Sequence, residues 1–117
     1  MKKVYHLSSC STCQRILNDI GSIDFVLQDI KTEAISESQL EEMYSVTSSY
    51  EDLFSKRAMK YKSMGLKDKN LKEEDFKNLI LQEYTFLKRP VFIIDGEVFI
   101  GNSKKVVEAV KNILANE

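Results

Sequence analysis

A single proline, a single histidine and two cysteines are all that the 117 residues contain of those types, and no apolar run approaches the roughly 20 residues that cross a bilayer. Each scarcity removes a class of protein. Two cysteines cannot build the disulfide framework of a small secreted domain, so oxidation here would be an event rather than a scaffold. One histidine and two cysteines fall short of a tetrahedral metal site, and a zinc half-site with His6 would need a carboxylate, a water or a second chain. The net charge of −1 leaves no broad basic surface for general nucleic-acid binding. The start Met1-Lys2-Lys3-Val4 runs directly into a strand pattern without a signal-peptide core, and a cytoplasmic protein with no membrane segment is expected.

What is present suits one folded domain over 1–117, with 43% hydrophobic and 30% charged residues. Charge is unevenly spread. Glu33, Glu37, Glu41, Glu42, Glu51 and Asp52 fall in a stretch without Lys or Arg, whereas Lys56, Arg57, Lys60, Lys62, Lys67, Lys69 and Lys72 follow against Asp68 alone. Solvated helix surface accounts for such runs, and a basic mouth for a small anion would need only one or two of these side chains.

Val4 to Leu7 reads as a strand, and Cys13, Ile16, Leu17 and Ile20 recur at helical spacing up to Gly21. With Phe25 to Ile30 as a second strand, the first 30 residues spell a β-α-β unit with a parallel pair. From about 36 to 86 the period is helical throughout, an inserted segment. Ser36 with Gln39, and Ser49 with Asp52, give capping-box patterns. Phe54, Ala58 and Tyr61 share a face, Gly65 punctuates, and Phe76, Leu79 and Ile80 mark another helix. After Pro90, Val91-Phe92-Ile93-Ile94 and Val98-Phe99-Ile100 flank an Asp95-Gly96 turn, an antiparallel hairpin signal. A last helix carries Val106, Val107, Val110, Ile113 and Leu114 as one stripe. The expected fold is α/β, with β-α-β, helical insertion and β-β-α building a mixed four-stranded sheet.

Cys10 and Cys13 stand at the junction of the first strand and helix. The first N–H groups of a helix lack intrahelical partners and carry partial positive charge, which favours thiolate over thiol. A two-residue spacer brings both sulfurs to one side of the first turn. Cys10, nearer the helix end, is the candidate nucleophile, and Cys13, on the core face, the resolving thiol. His6 either favours the thiolate when protonated or is a strand residue satisfied by backbone. Pro90 either opens a strand or forms a cis bond that turns the chain beside the cysteine loop. Arg89 and Arg57 offer the planar donor fork that suits a tetrahedral oxyanion, although for Arg57 a solvated helix face is the ordinary alternative.

The run Tyr5-His6-Leu7-Ser8-Ser9-Cys10-Ser11-Thr12-Cys13-Gln14-Arg15, with Arg57 in mid-chain, Arg89-Pro90-Val91 before the hairpin and the ending Ile100-Gly101-Asn102-Ser103, resembles the glutaredoxin-coupled arsenate reductase family, which also includes the Spx transcriptional regulators. The resemblance covers nearly the whole chain. It implies a thioredoxin-like fold with an inserted helical segment, Cys10 as the nucleophile toward arsenate, His6 as an aid to its ionisation, and Arg57 and Arg89 as oxyanion-binding groups. It also supports a cis Pro90. No metal or tightly bound cofactor is implied; the electrons would come from an external thiol reductant, glutathione with glutaredoxin, or thioredoxin.

Two positions depart from the reductase pattern. Asn102 stands where those enzymes carry a third arginine, which weakens an oxyanion pocket, and Cys13 stands where they typically have no second cysteine, as in Spx proteins. The expected function is therefore a thiol oxidoreductase of this family acting on a small oxyanion or a disulfide substrate. The alternative is an Spx-like redox regulator that docks on the RNA polymerase α subunit.

Overall fold

Aromatic and β-branched side chains at Val4 and Tyr5 favour extended backbone, and strand β1 runs over Lys2–His6. The computed structural model describes residues 1–21 and 24–116. After β1 come α1 (Ser11–Ile20), β2 (Val26–Asp29), α2 (Glu37–Thr47), α3 (Met59–Ser63), α4 (Glu73–Gln82), β3 (Val91–Ile94), β4 (Glu97–Ile100) and α5 (Lys104–Ala115). The chain divides into two compact units, one of Met1–Glu33 with Arg89–Glu117, the other of Ala34–Lys88.

The first unit holds a mixed four-stranded sheet in the order β2-β1-β3-β4. β1 pairs parallel with β2 and antiparallel with β3, and β3 pairs antiparallel with β4. Val4 lies opposite Phe92, and these two with Ile94 point into a cluster with Ile16 and Leu17 of α1, Phe25, and Val110 of α5. Ile20, Phe99, Val107, Ile113 and Leu114 pack against its margin. Phe25 meets Phe92 edge-on, with ring centroids 6.0 Å apart. Each such side chain, fully removed from water, contributes about 1.5–3 kcal/mol, so this cluster anchors both helices to the sheet. The hairpin turns on Asp95 and Gly96, both at positive φ (49° and 89°), as a two-residue turn of this hand requires. The strand margins differ slightly from the apolar runs. β1 ends at His6 because the chain bends at Leu7, whose carbonyl accepts the Cys10 N–H at 3.0 Å.

In the second unit α2 opens with a complete capping box. Ser36 Oγ accepts the Gln39 N–H at 3.1 Å, and Gln39 Oε1 accepts the Ser36 N–H at 3.0 Å. Within the helical insertion one capping pattern does not start the helix it signals. The Ser49–Asp52 pattern does form its hydrogen bond, Asp52 N–H to Ser49 Oγ at 3.1 Å, yet only a single 3₁₀ turn, Glu51–Leu53, follows. Phe54 then leaves in extended conformation and bridges Leu87. Tertiary packing outweighs local propensity at that point. The Phe54 ring contacts Phe86 (4.9 Å), Phe76 (5.0 Å) and Tyr61 (5.8 Å), forming the aromatic centre of this unit.

Candidate active site

The site grows from the C-terminal end of β1. The chain leaves His6, turns through Leu7–Ser9, and enters α1 with Cys10 as the N-cap residue in extended conformation (φ −96°, ψ 110°). No side chain caps this end, so the open N–H groups of the first turn face the position that Cys10 occupies. Both cysteines are free thiols, Cys10 partly exposed and Cys13 fully buried. The sheet register brings Arg89 to the same place. Tyr5 of β1 pairs with Val91 of β3, so the residues just before Val91 run alongside the end of β1, and the Arg89–Pro90 peptide bond there is cis.

The two thiols differ sharply. Burial pushes the Cys10 thiol up, but hydrogen bonds from the backbone and thiol of Cys13, together with the charge and hydrogen bonding of the Arg89 guanidinium, hold it below the ordinary thiol value. Cys13 is pushed up to about 12, first by burial and further by the neighbouring Cys10 sulfur, against a backbone hydrogen bond with Leu7 and the charge of Arg89. Cys10 is thus the sulfur that ionises first, and Cys13 keeps its proton while it hydrogen-bonds to Cys10.

His6 is buried, at 8% exposure. Its Nδ1 lies 3.2 Å from Nε2 of Gln14, and the same Gln14 nitrogen donates to the Leu7 carbonyl at 3.0 Å. Since an amide NH₂ only donates, Nδ1 accepts and the ring proton sits on Nε2. Opposite His6 in the parallel register stands Asp29. Its Oδ1 accepts the backbone N–H groups of Ser8 and Lys31, each at 3.2 Å. The Ser8 side chain, foremost, and these N–H groups hold the Asp29 carboxyl below its usual range.

The structure therefore gathers Cys10, Cys13 and Arg89 in one interacting group, with His6 at the end of β1 and Pro90 just ahead of β3. Arg57 is an exposed residue of the Ala34–Lys88 unit, on the turn before α3, and Asn102 is exposed between β4 and α5. Gln14 and Asp29 were not singled out by the sequence. The one available signal for Gln14 was its place one helical turn beyond Cys10, while Asp29 is visible only through strand register. Among the described residues, no group of three or more His, Cys, Asp or Glu side chains is arranged to hold a metal ion, and no helix is long and apolar enough to cross a membrane.

No curated protein matches this sequence closely enough to count as a relative. Solved structures resemble it over most of their length. A protein from Streptococcus mutans described as a possible arsenate reductase is 27% identical with a TM-score of 0.68, covering 89% of this chain and 92% of its own. An arsenate reductase (ArsC) related protein from Brucella melitensis is 24% identical with a TM-score of 0.69 and 92% coverage of both chains. An arsenate reductase from Vibrio cholerae is 19% identical with a TM-score of 0.72 and 96% coverage of both. They share the thioredoxin-like α/β fold described above. Residues 5–110, from the strand that carries His6 to the buried turn of α5, match the model of the ArsC family, and the chain belongs to that family.

Proposed function

We propose that this ArsC-family protein is a thiol oxidoreductase in which Cys10 attacks and Cys13 resolves. The observation that carries the reading is the asymmetry of the two sulfurs. One is partly exposed and favoured as thiolate by Arg89 and the helix N-terminus; the other is buried, protonated and hydrogen-bonded to the first. With arsenate, the Cys10 thiolate forms a sulfur–arsenic bond as an arsenic–oxygen bond breaks and the oxygen leaves as water. Attack on the Cys10 sulfur by Cys13, or by glutathione, then breaks the sulfur–arsenic bond. Its electron pair stays on arsenic, giving arsenite and a disulfide. An external thiol system, glutathione with glutaredoxin or thioredoxin, returns two electrons to that disulfide. Arg89 would stabilise the charge on the oxyanion adduct, and His6 would support the ionised loop. A protein substrate disulfide would enter the same cycle at its first step. The thiol pool this chemistry needs places it in the cytoplasm.

The test is NADPH consumption with arsenate, coupled in parallel to glutathione plus glutaredoxin and to thioredoxin plus its reductase, for wild type, Cys10→Ser and Cys13→Ser. Turnover should vanish in Cys10→Ser. If Cys13 resolves, Cys13→Ser should retain turnover only with glutathione. Persistent turnover in Cys10→Ser would sink the proposal.

The close pairing of Cys10 with Cys13 also favours a second reading, an Spx-like regulator whose internal disulfide alters docking on the RNA polymerase α subunit. Redox-dependent capture of that subunit, without arsenate turnover by either reductant, would decide for it.

A further inference from the structure

The chemistry of the Cys10 sulfur depends on where the loop that presents it sits. Two polar side chains hold this loop, one from α1 and one from β2. Gln14, on α1, touches it at three points: its backbone N–H donates to the Cys10 carbonyl at 3.1 Å, and its side-chain amide reaches the Leu7 carbonyl at 3.0 Å and His6 Nδ1 at 3.2 Å. Asp29, on the parallel neighbour β2, takes the Ser8 N–H at 3.2 Å and a hydrogen bond from the Ser8 side chain. The same carboxylate is fixed in turn by the Lys31 N–H, and the backbone beyond it is tied by the Glu33 N–H on the Asp29 carbonyl at 2.8 Å. The clamp is thus anchored in both elements that flank the loop.

The geometry points to Gln14 and Asp29 as positioning residues for the Cys10 thiolate: together they clamp the Leu7–Cys10 loop and the His6 ring between α1 and β2, so that the sulfur is delivered to Cys13 and Arg89 in one place. Gln14 additionally selects the His6 tautomer. With Nδ1 occupied as acceptor, a proton there would set two donors face to face, so the ring keeps its hydrogen on Nε2. This inference rests on Cys10 being the reactive sulfur, but it requires no particular substrate.

Its test avoids arsenate for that reason. Alkylation of Cys10 by iodoacetamide, resolved from Cys13 by peptide mass spectrometry, is followed against pH in the intact reduced protein, with thermal unfolding recorded in parallel. Gln14→Met keeps length and helical preference but loses both side-chain hydrogen bonds. It should slow Cys10 alkylation near neutrality by about five-fold, the factor that corresponds to one ordinary hydrogen bond, and move the pH midpoint upward. Asp29→Ala should do the same, whereas Asp29→Asn, which keeps the acceptor for Ser8, should remain close to wild type. An unchanged midpoint in Gln14→Met would overturn the clamp whatever happens to its melting temperature. So would Asp29→Asn behaving like Asp29→Ala, since charge rather than tethering would then be the agent. Normal alkylation profiles without arsenate turnover would leave the clamp standing and count against the arsenate reading alone.

Discussion

Two residues along the chain separate two thiols whose protons are held with opposite strength, and the cause lies in single groups. Cys10 has an open helix end, the Cys13 N–H and Arg89 on its side; Cys13 has burial and the neighbouring sulfur against it. Rising pH ionises Cys10 first, so alkylation should begin below the ordinary thiol range and spare Cys13 until strongly alkaline conditions, a difference that peptide mass spectrometry reads directly. Arg89→Ala should raise the alkylation midpoint of Cys10 and lower kcat/KM about 10²-fold, as for other removed charge-stabilising donors. Arg89→Lys should restore part of the midpoint but less of the rate, because the ammonium supplies the charge without the planar fork. An Arg89→Ala protein with an unmoved midpoint would show that the cysteine pair and helix end suffice. At this scale Cys10, Cys13 and Arg89 were legible because the Cys-Ser-Thr-Cys spacing and the Arg-Pro dipeptide are local signs. Gln14 and Asp29 were not, since a glutamine in a helix and an aspartate at a strand end acquire meaning only when β1 and β2 lie in register.

Elements with short-range causes were read correctly from sequence: the Asp95-Gly96 turn, the Ser36/Gln39 box, and the stripes of α1 and α5. The region around Phe54 was not. Its extended bridge to Leu87 and its ring contacts with Phe76 and Phe86 join residues far apart in sequence, and helical periodicity carries no trace of such pairing. The same distinction predicts the size of mutational effects. Phe92 is fully buried at the centre of the sheet cluster, and Phe92→Ala should cost about 3–5 kcal/mol in denaturant unfolding. Ser36→Ala removes one cap at an exposed helix start and should cost about 1 kcal/mol, seen first as faster amide exchange in α2. Comparable losses from the two changes would mean that the sheet cluster is less central than its burial indicates.

Across the whole molecule, the inserted unit interrupts the chain between β2 and β3, while the sheet order returns β3 to the side of β1 and so carries Arg89 to the cysteine loop. Cys10, Cys13 and Arg89 are therefore brought together within one unit by topology. That arrangement bears on what oxidation does to the fold. A Cys10–Cys13 disulfide would close a loop of only about four residues, and restriction of so short a loop in the unfolded chain is worth at most about 2 kcal/mol. Both cysteines belong to the first turn of α1, Cys10 as its N-cap and Cys13 buried within it, so the bond is local to that turn. Urea unfolding of the reduced and oxidised proteins should therefore give free energies within about 2 kcal/mol of each other and nearly equal m-values, since the surface exposed on unfolding is the same. An enzyme that cycles through this disulfide needs that near-equivalence, because each turnover passes through both forms. A large change in m-value on oxidation would instead reveal that part of the chain opens or compacts with redox state, and that behaviour belongs to a regulator whose partner reads its shape.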